Sequence, residues 1–73
     1  MIYELKYDYC RFNLDPEKKI VEVYLNGFKE PTITFNELPV GIKWENLELI
    51  LNHEDKGLKD ELGKRLFEMY KNL

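Results

Sequence analysis

The sequence is poor in the residues that usually build chemical sites. Among 73 residues it has one cysteine, one histidine, four glycines and three prolines. Cys10 has no second cysteine with which to form an intrachain disulfide. A zinc site is poorly supported, because such sites combine several Cys and His ligands. The low glycine and proline content also excludes a low-complexity chain. We recognise no motif for catalysis, metal binding or cofactor binding.

Long apolar runs and an excess of basic charge are also missing. No run approaches the roughly 18 residues of a membrane-spanning helix, and the amino terminus lacks the basic and apolar regions of a signal peptide. Acidic residues number 14 and basic residues 11, for a formal net charge of −3. Nucleic-acid binders usually carry a basic excess. The acidic balance therefore argues against a dedicated nucleic-acid binder. We expect no membrane partner and a cytoplasmic location, where a lone thiol stays reduced.

Segment 55–73 shows the clearest periodicity in the chain. Six apolar residues recur at helical spacing and cover about 120° of a helical wheel. They are Leu58, Leu62, Leu66, Met69, Tyr70 and Leu73. Charged residues fill most of the opposite side, and Asn52 or Asp55 can accept hydrogen bonds from the free amides of the first turn. The pattern predicts a C-terminal amphipathic helix.

Segment 2–13 is rich in β-branched and aromatic residues and predicts one long strand. Its inward-facing residues would be Tyr3, Leu5, Tyr7 and Tyr9. Beyond Asp8 the alternation changes phase, because Arg11 falls on the apolar face and Phe12 on the polar face. A bulge near residues 9–11 would explain the change, as would a second surface that buries Cys10 and Phe12.

Two shorter strands are predicted after this one. Asp15 and Pro16 begin a turn, and the strand 19–25 follows it with Val21, Val23 and Leu25 inward. Asn26-Gly27 predicts a second turn. The third strand, 32–35, has Ile33 and Phe35 inward. Pro31 at its start is typical of an edge strand or of a strand entry.

Residues 36–51 connect the third strand to the final helix. Pro39 and Gly41 indicate a loop over 36–43. Segment 44–51 fits a helix that exposes Leu49, or a strand that exposes Ile50, and we favour the short helix. The fold class is therefore α+β: a three-stranded antiparallel meander, a short helical or irregular segment, and the C-terminal helix packed on one sheet face, in a single small domain over 1–73.

Catalytic and metal-binding roles find little support in this arrangement. His53, Glu54 and Asp55 are adjacent, so their side chains point in different directions and do not form one coordination sphere. Acidic residues at a helix start have an ordinary role, because they complement the positive end of the helix dipole. Cys10 would need a nearby base and a positive field to act as a nucleophile. We expect a protein that is not an enzyme and binds neither a metal nor a cofactor.

Six residues form the predicted interface. Phe12, Ile20 and Tyr24 would lie on the uncovered sheet face, and Gly63, Phe67 and Tyr70 along one edge of the helix. A glycine inside a helix costs about 1 kcal/mol relative to alanine, and close approach of another backbone is one compensation for that cost. The alternative is a sheet wide enough to cover Phe67.

The predicted function follows from the small size, the acidic charge and the missing chemistry. We expect a non-enzymatic interaction protein, forming a homodimer, that binds or inhibits another macromolecule, such as a protein partner. A nucleic-acid-binding regulator is the alternative, using the sheet aromatics and the helix lysines.

Overall fold

A computed structural model describes all 73 residues of the protein, from Met1 to Leu73. The elements in chain order are β1 (Tyr3–Tyr7), β2 (Cys10–Asp15), β3 (Ile20–Leu25), β4 (Ile33–Phe35), a 3₁₀ turn (Trp44–Asn46), α1 (Leu47–Leu51) and α2 (Lys56–Lys71). The strands form one antiparallel sheet in the order β1-β2-β3-β4. The predicted α+β fold class is confirmed, with four strands instead of three.

The predicted long first strand is wrong, because this segment folds as a hairpin. Asp8 and Tyr9 form a two-residue turn between β1 and β2, and Asp8 has a φ of +55°. Short polar residues such as aspartate tolerate this backbone region better than most. In the resulting register Leu5 lies opposite Phe12 and Tyr7 lies opposite Cys10. The phase change that suggested a bulge is therefore the reversal of the chain.

The hydrophobic core lies between one sheet face and the helices. Its buried residues are Leu5, Cys10, Phe12, Leu14, Val21, Val23, Leu47, Leu62, Leu66 and Phe67. The inward positions predicted for Val21 and Val23 are confirmed, and Ile33 and Phe35 pack against the same core. Phe12 was predicted on the opposite face, which is wrong, because its side chain is 0% exposed in the core.

Both predicted turns after β2 are present. The Asp15 carboxylate accepts hydrogen bonds from the backbone N–H of Glu17 at 3.1 Å and of Lys18 at 3.2 Å. After β3, the N–H of Phe28 donates to the carbonyl of Leu25 at 3.1 Å. Gly27 supplies the positive φ, +86°, that this turn needs. β4 pairs only with β3, so the strand that follows Pro31 is an edge strand, the first of the two predicted alternatives.

α2 begins one residue after its N-cap. The Asp55 side chain accepts a hydrogen bond from the N–H of Gly57 at 2.8 Å, which confirms Asp55 as one of the two predicted caps. The buried residues of α2 are Leu62, Gly63, Leu66 and Phe67. The predicted stripe is therefore wrong at its ends, since Leu58 is 43% and Leu73 71% exposed.

The segment between the sheet and α2 follows the prediction. Residues 36–43 form a loop, and 44–51 are helical. Leu47 is buried while Leu49 is exposed, as the helical alternative requires. Leu38, Ile42 and Trp44 of this segment are partly buried and pack against the core.

Candidate functional site

The six predicted interface residues do not form one surface. Ile20 and Tyr24 lie on the uncovered sheet face and are half-buried, as is Tyr70 on α2. Gly63 and Phe67 are buried within the chain's own core, as is Phe12. The uncovered face therefore keeps two of its three predicted residues. The strip along α2 keeps only Tyr70 in partial contact with solvent.

Gly63 does permit a close approach, but the neighbour belongs to the same chain. A Cβ atom at position 63 would lie 3.1 Å from the Cβ of Tyr7 and 3.2 Å from its Cδ1. Tyr7 is part of β1, so this contact joins α2 to its own sheet. The glycine is explained by packing inside the domain and needs no second subunit.

Phe67 packs under the β1–β2 hairpin. Its ring centroid lies 5.6 Å from that of Tyr7 and 5.1 Å from that of Tyr9, distances typical of favourable aromatic pairs. The Lys71 ammonium lies 5.3 Å from the centroid of the same ring. Phe67 was predicted either to lie in an interface or to be covered by the sheet, and in the structure the sheet covers it.

A cluster around Arg11 occupies the uncovered sheet face. Its guanidinium donates to the carbonyl of Phe28 at 2.9 Å and lies 4.7 Å from the centroid of the Tyr24 ring. One of its nitrogens is 3.8 Å from a carboxylate oxygen of Glu4. The cation is thus engaged within the chain. The Tyr24 ring therefore stands beside one cation and one carboxylate, whereas single-strand binders pair such rings with a basic groove.

A groove of about 620 Å³ lies where α2 meets residues 37–40. Its apolar lining comes from Leu38, Val40, Met69 and Leu73. Three glutamates, Glu37, Glu61 and Glu68, line it as well, together with one arginine, Arg65. The groove thus combines an apolar surface with an excess of negative charge.

One wall of this groove is held by a tight turn. The N–H of Ile42 donates to the carbonyl of Pro39 at 3.1 Å, and Gly41 has a φ of +88°. Val40 consequently stands at the tip of the turn with 88% of its side chain exposed. Arg65 donates a hydrogen bond to the carbonyl of Val40 and so ties the turn to α2.

The other wall is one side of α2. Glu61, Arg65 and Glu68 are spaced four and three residues apart and therefore share this side of the helix. The sequence pattern does not predict the groove, because helical periodicity places Leu73 in the core and gives Val40 no role. Two signals pointed to it: a valine inside a Pro-Val-Gly turn, and two glutamates seven residues apart on the helix.

The residues considered for catalysis occupy structural positions. Cys10 is fully buried, and this burial raises the pKa of its thiol, with a further increase from the negative charge of Asp8. Catalytic cysteines show the opposite shift. The Nδ1 atom of His53 accepts a hydrogen bond from the N–H of Asp55 at 3.0 Å, at the start of α2. No group of three or more His, Cys, Asp or Glu side chains is arranged to hold a metal ion.

Comparison with protein-family models, curated proteins and solved structures finds no match to this chain. None of its helices combines the length and the apolar character needed to cross a membrane.

Proposed function

We propose that the protein is a small, non-enzymatic interaction protein of the cytoplasm, which forms a homodimer and binds another protein through the groove between residues 37–40 and α2. One observation carries this proposal. Val40 and Leu73, which are 88% and 71% exposed, line the same groove beside three glutamates. Single exposed apolar residues are ordinary, whereas exposed apolar residues that share a charged groove are typical of interaction sites.

The groove's chemistry indicates the kind of partner. An apolar side chain in contact with Val40, Met69 and Leu73 contributes roughly 1.5–3 kcal/mol when it leaves water. Lys or Arg residues beside it meet Glu61 and Glu68, and each exposed ion pair adds about 0–1 kcal/mol. The expected ligand is a protein segment with an apolar anchor flanked by basic residues. These magnitudes support weak, reversible binding.

Two further observations support the rest of the proposal. Cys10, the only cysteine, is fully buried and has no disulfide partner, which suits a reducing compartment such as the cytoplasm. A chain of this length buries only roughly 60% of its unfolded surface. Ile2 and Phe28 are among the large apolar residues that stay exposed, and association with a second copy would stabilise such a chain.

Selection from a random peptide library tests the groove directly. The immobilised native protein is expected to enrich peptides that combine Leu, Ile, Met or Phe with Lys or Arg. Their binding is expected to weaken at higher salt, because exposed charge pairs are screened. Changes in amide chemical shift on titration should map to Val40, Met69 and Leu73.

Two variants with matched controls complete this test. Val40→Asp should abolish binding of the enriched peptides, and the control Leu49→Asp should not, because Leu49 is 72% exposed but lies outside the groove. Glu61→Lys should weaken binding, and the control Glu45→Lys should leave it unchanged. Enrichment of acidic peptides, or equal binding by Val40→Asp and the native protein, would refute the groove as the binding surface.

A further inference from the structure

β1 has one free edge. The sheet order places β1 at the end of the sheet, and its only strand partner is β2. Edge strands present unpaired backbone groups that can pair with another chain. Both Glu4 and Lys6 on this strand are exposed to solvent.

The register fixes which backbone groups point to that edge. Tyr7 and Cys10 close the two-residue turn and face each other across the ladder. In such a pair the N–H of each residue donates to the C=O of the other, and the same holds for every second pair along the two strands. Tyr3, Leu5 and Tyr7 therefore bond to β2. The N–H and C=O groups of Glu4 and Lys6 point away from β2, to the open edge.

We propose that two copies of the chain pair through this edge, with β1 antiparallel to β1 of the second copy and Leu5 on the two-fold axis. This inference rests on the proposed homodimer and specifies its interface. The two sheets then join into one continuous antiparallel sheet of eight strands, since each copy contributes four. A two-fold interface of this kind uses the same surface of both copies.

Charge selects the register of this pairing. With Leu5 at the centre, Glu4 lies opposite Lys6 of the second copy, and Lys6 opposite Glu4 of the second copy. Both of these pairs are hydrogen-bonded pairs, because the outward-pointing backbone groups belong to the same two residues. Cross-strand pairs of opposite charge are favourable, whereas like charges directly opposite are unfavourable.

The neighbouring registers lack this complementarity. A centre at Glu4 places two glutamates opposite each other, and a centre at Lys6 places two lysines opposite each other. A shift by a single residue joins the core face of one strand to the outer face of the other. In the proposed register Tyr3 lies opposite Tyr7 of the second copy, and both are half-buried side chains with surface left to cover.

Charge reversal tests the interface. Glu4→Lys leaves only lysines on the edge, and Lys6→Glu leaves only glutamates, so each variant should sediment as a monomer at concentrations where the native protein is a dimer. An equimolar mixture of the two variants should form a heterodimer, because a lysine of one copy then faces a glutamate of the other in both pairs. The double variant, with both charges exchanged, should again form a homodimer.

Matched controls change the same charges away from the edge. The first control is Glu22→Lys, at a position on the inner strand β3. The second is Lys18→Glu, at a position in the turn before β3. Both should leave the native dimer intact. If the native protein is a dimer and either single edge variant stays dimeric, the β1 interface is wrong while the homodimer stands. A monomeric mixture of folded variants would likewise reject the register.

Amide hydrogen exchange supplies an independent test on the native chain. The amides of Glu4 and Lys6 face solvent in the monomer and bond to the second copy in the dimer. With about nine-tenths of the chains in dimers their exchange should slow by roughly tenfold, because only the monomer then exchanges. The Leu5 amide, bonded within the chain, should change far less. If the Glu4 and Lys6 amides exchange as fast in the concentrated dimer as in the dilute monomer, the β1 interface is wrong. If the chain is monomeric at every concentration, the homodimer is wrong as well. Peptide binding by the groove is tested separately from both.

Discussion

Gly63 of α2 lies directly against Tyr7 of β1, so close that a methyl group at position 63 would meet the Tyr7 Cβ at 3.1 Å. The Cβ atom is fixed to the strand backbone and cannot swing aside as the end of a long side chain can. This contact therefore sets how closely α2 approaches the sheet. Phe67, four residues further along α2, lies under the hairpin, where its ring centroid is 5.1 Å from that of Tyr9.

Gly63→Ala is expected to destabilise the protein, although alanine is the better helix former. The gain in helix propensity is about 1 kcal/mol, while overpacking against Tyr7 costs roughly 1–3 kcal/mol. Urea unfolding should show a lower midpoint with an unchanged slope. Lys64→Ala, at the exposed neighbouring position, should change stability by less than about 0.5 kcal/mol. A more stable Gly63→Ala protein would show that the contact is loose.

Phe67→Leu should lower stability by about 1–2 kcal/mol, because it removes both ring contacts and part of a buried side chain. The sedimenting mass of the folded variant should match that of the native protein, since Phe67 lies inside the chain. Leu58→Ala is the control, a truncation at a half-open position of the same helix, and should cost less. If the Phe67→Leu variant is as stable as the native protein but associates more weakly, Phe67 belongs to an interface instead of the core.

Arg65→Met should loosen the wall of the groove. It removes the hydrogen bond to the Val40 carbonyl, an exposed bond worth about 0.5–1 kcal/mol. The Ile42 amide, which bonds to Pro39 in the adjoining turn, should then exchange roughly two to five times faster through local opening. Arg65→Lys keeps a donor and should show a smaller effect. An unchanged Ile42 rate would mean that the turn holds without this tether.

Cys10 is expected to lower the free energy of unfolding at alkaline pH. Its folded-state pKa is raised, first by burial and then by the charge of Asp8, so the folded protein holds the thiol proton more tightly than the unfolded chain. The stability that this raised thiol pKa contributes is fully present below the pKa of the unfolded chain, about 8.5, and is lost as pH rises through the pKa of the folded protein. Unfolding midpoints measured from pH 7 upward should decline more steeply for the native protein than for Cys10→Ala. Parallel curves would contradict the shift.

Much of the fold follows from local pattern in the sequence. The period of α2, its Asp55 cap and the turns at Asp15 and Gly27 depend on interactions between residues a few positions apart, so the sequence alone predicts them. The alternation of Val21 and Val23 likewise predicts which side of β3 enters the core. For segment 44–51 the sequence leaves two alternatives, and the favoured one, a helix that exposes Leu49, is the one the structure has.

Three features depend on contacts between distant residues, and only the tertiary structure decided them. The Asp8-Tyr9 turn has no glycine to mark it in the sequence. Only the pairing of Phe12 with Leu5 across the hairpin places Phe12 on the core face of the sheet. The rotation of α2 depends on the fit of Gly63 to Tyr7, 56 positions away in sequence. The two walls of the groove are joined by the hydrogen bond from Arg65 to the Val40 carbonyl, across 25 residues of chain. The sequence by itself determined α2, the later strands and most of their inner faces, because periodicity and turn chemistry are local. The first hairpin and the facing of distant side chains required the packed chain.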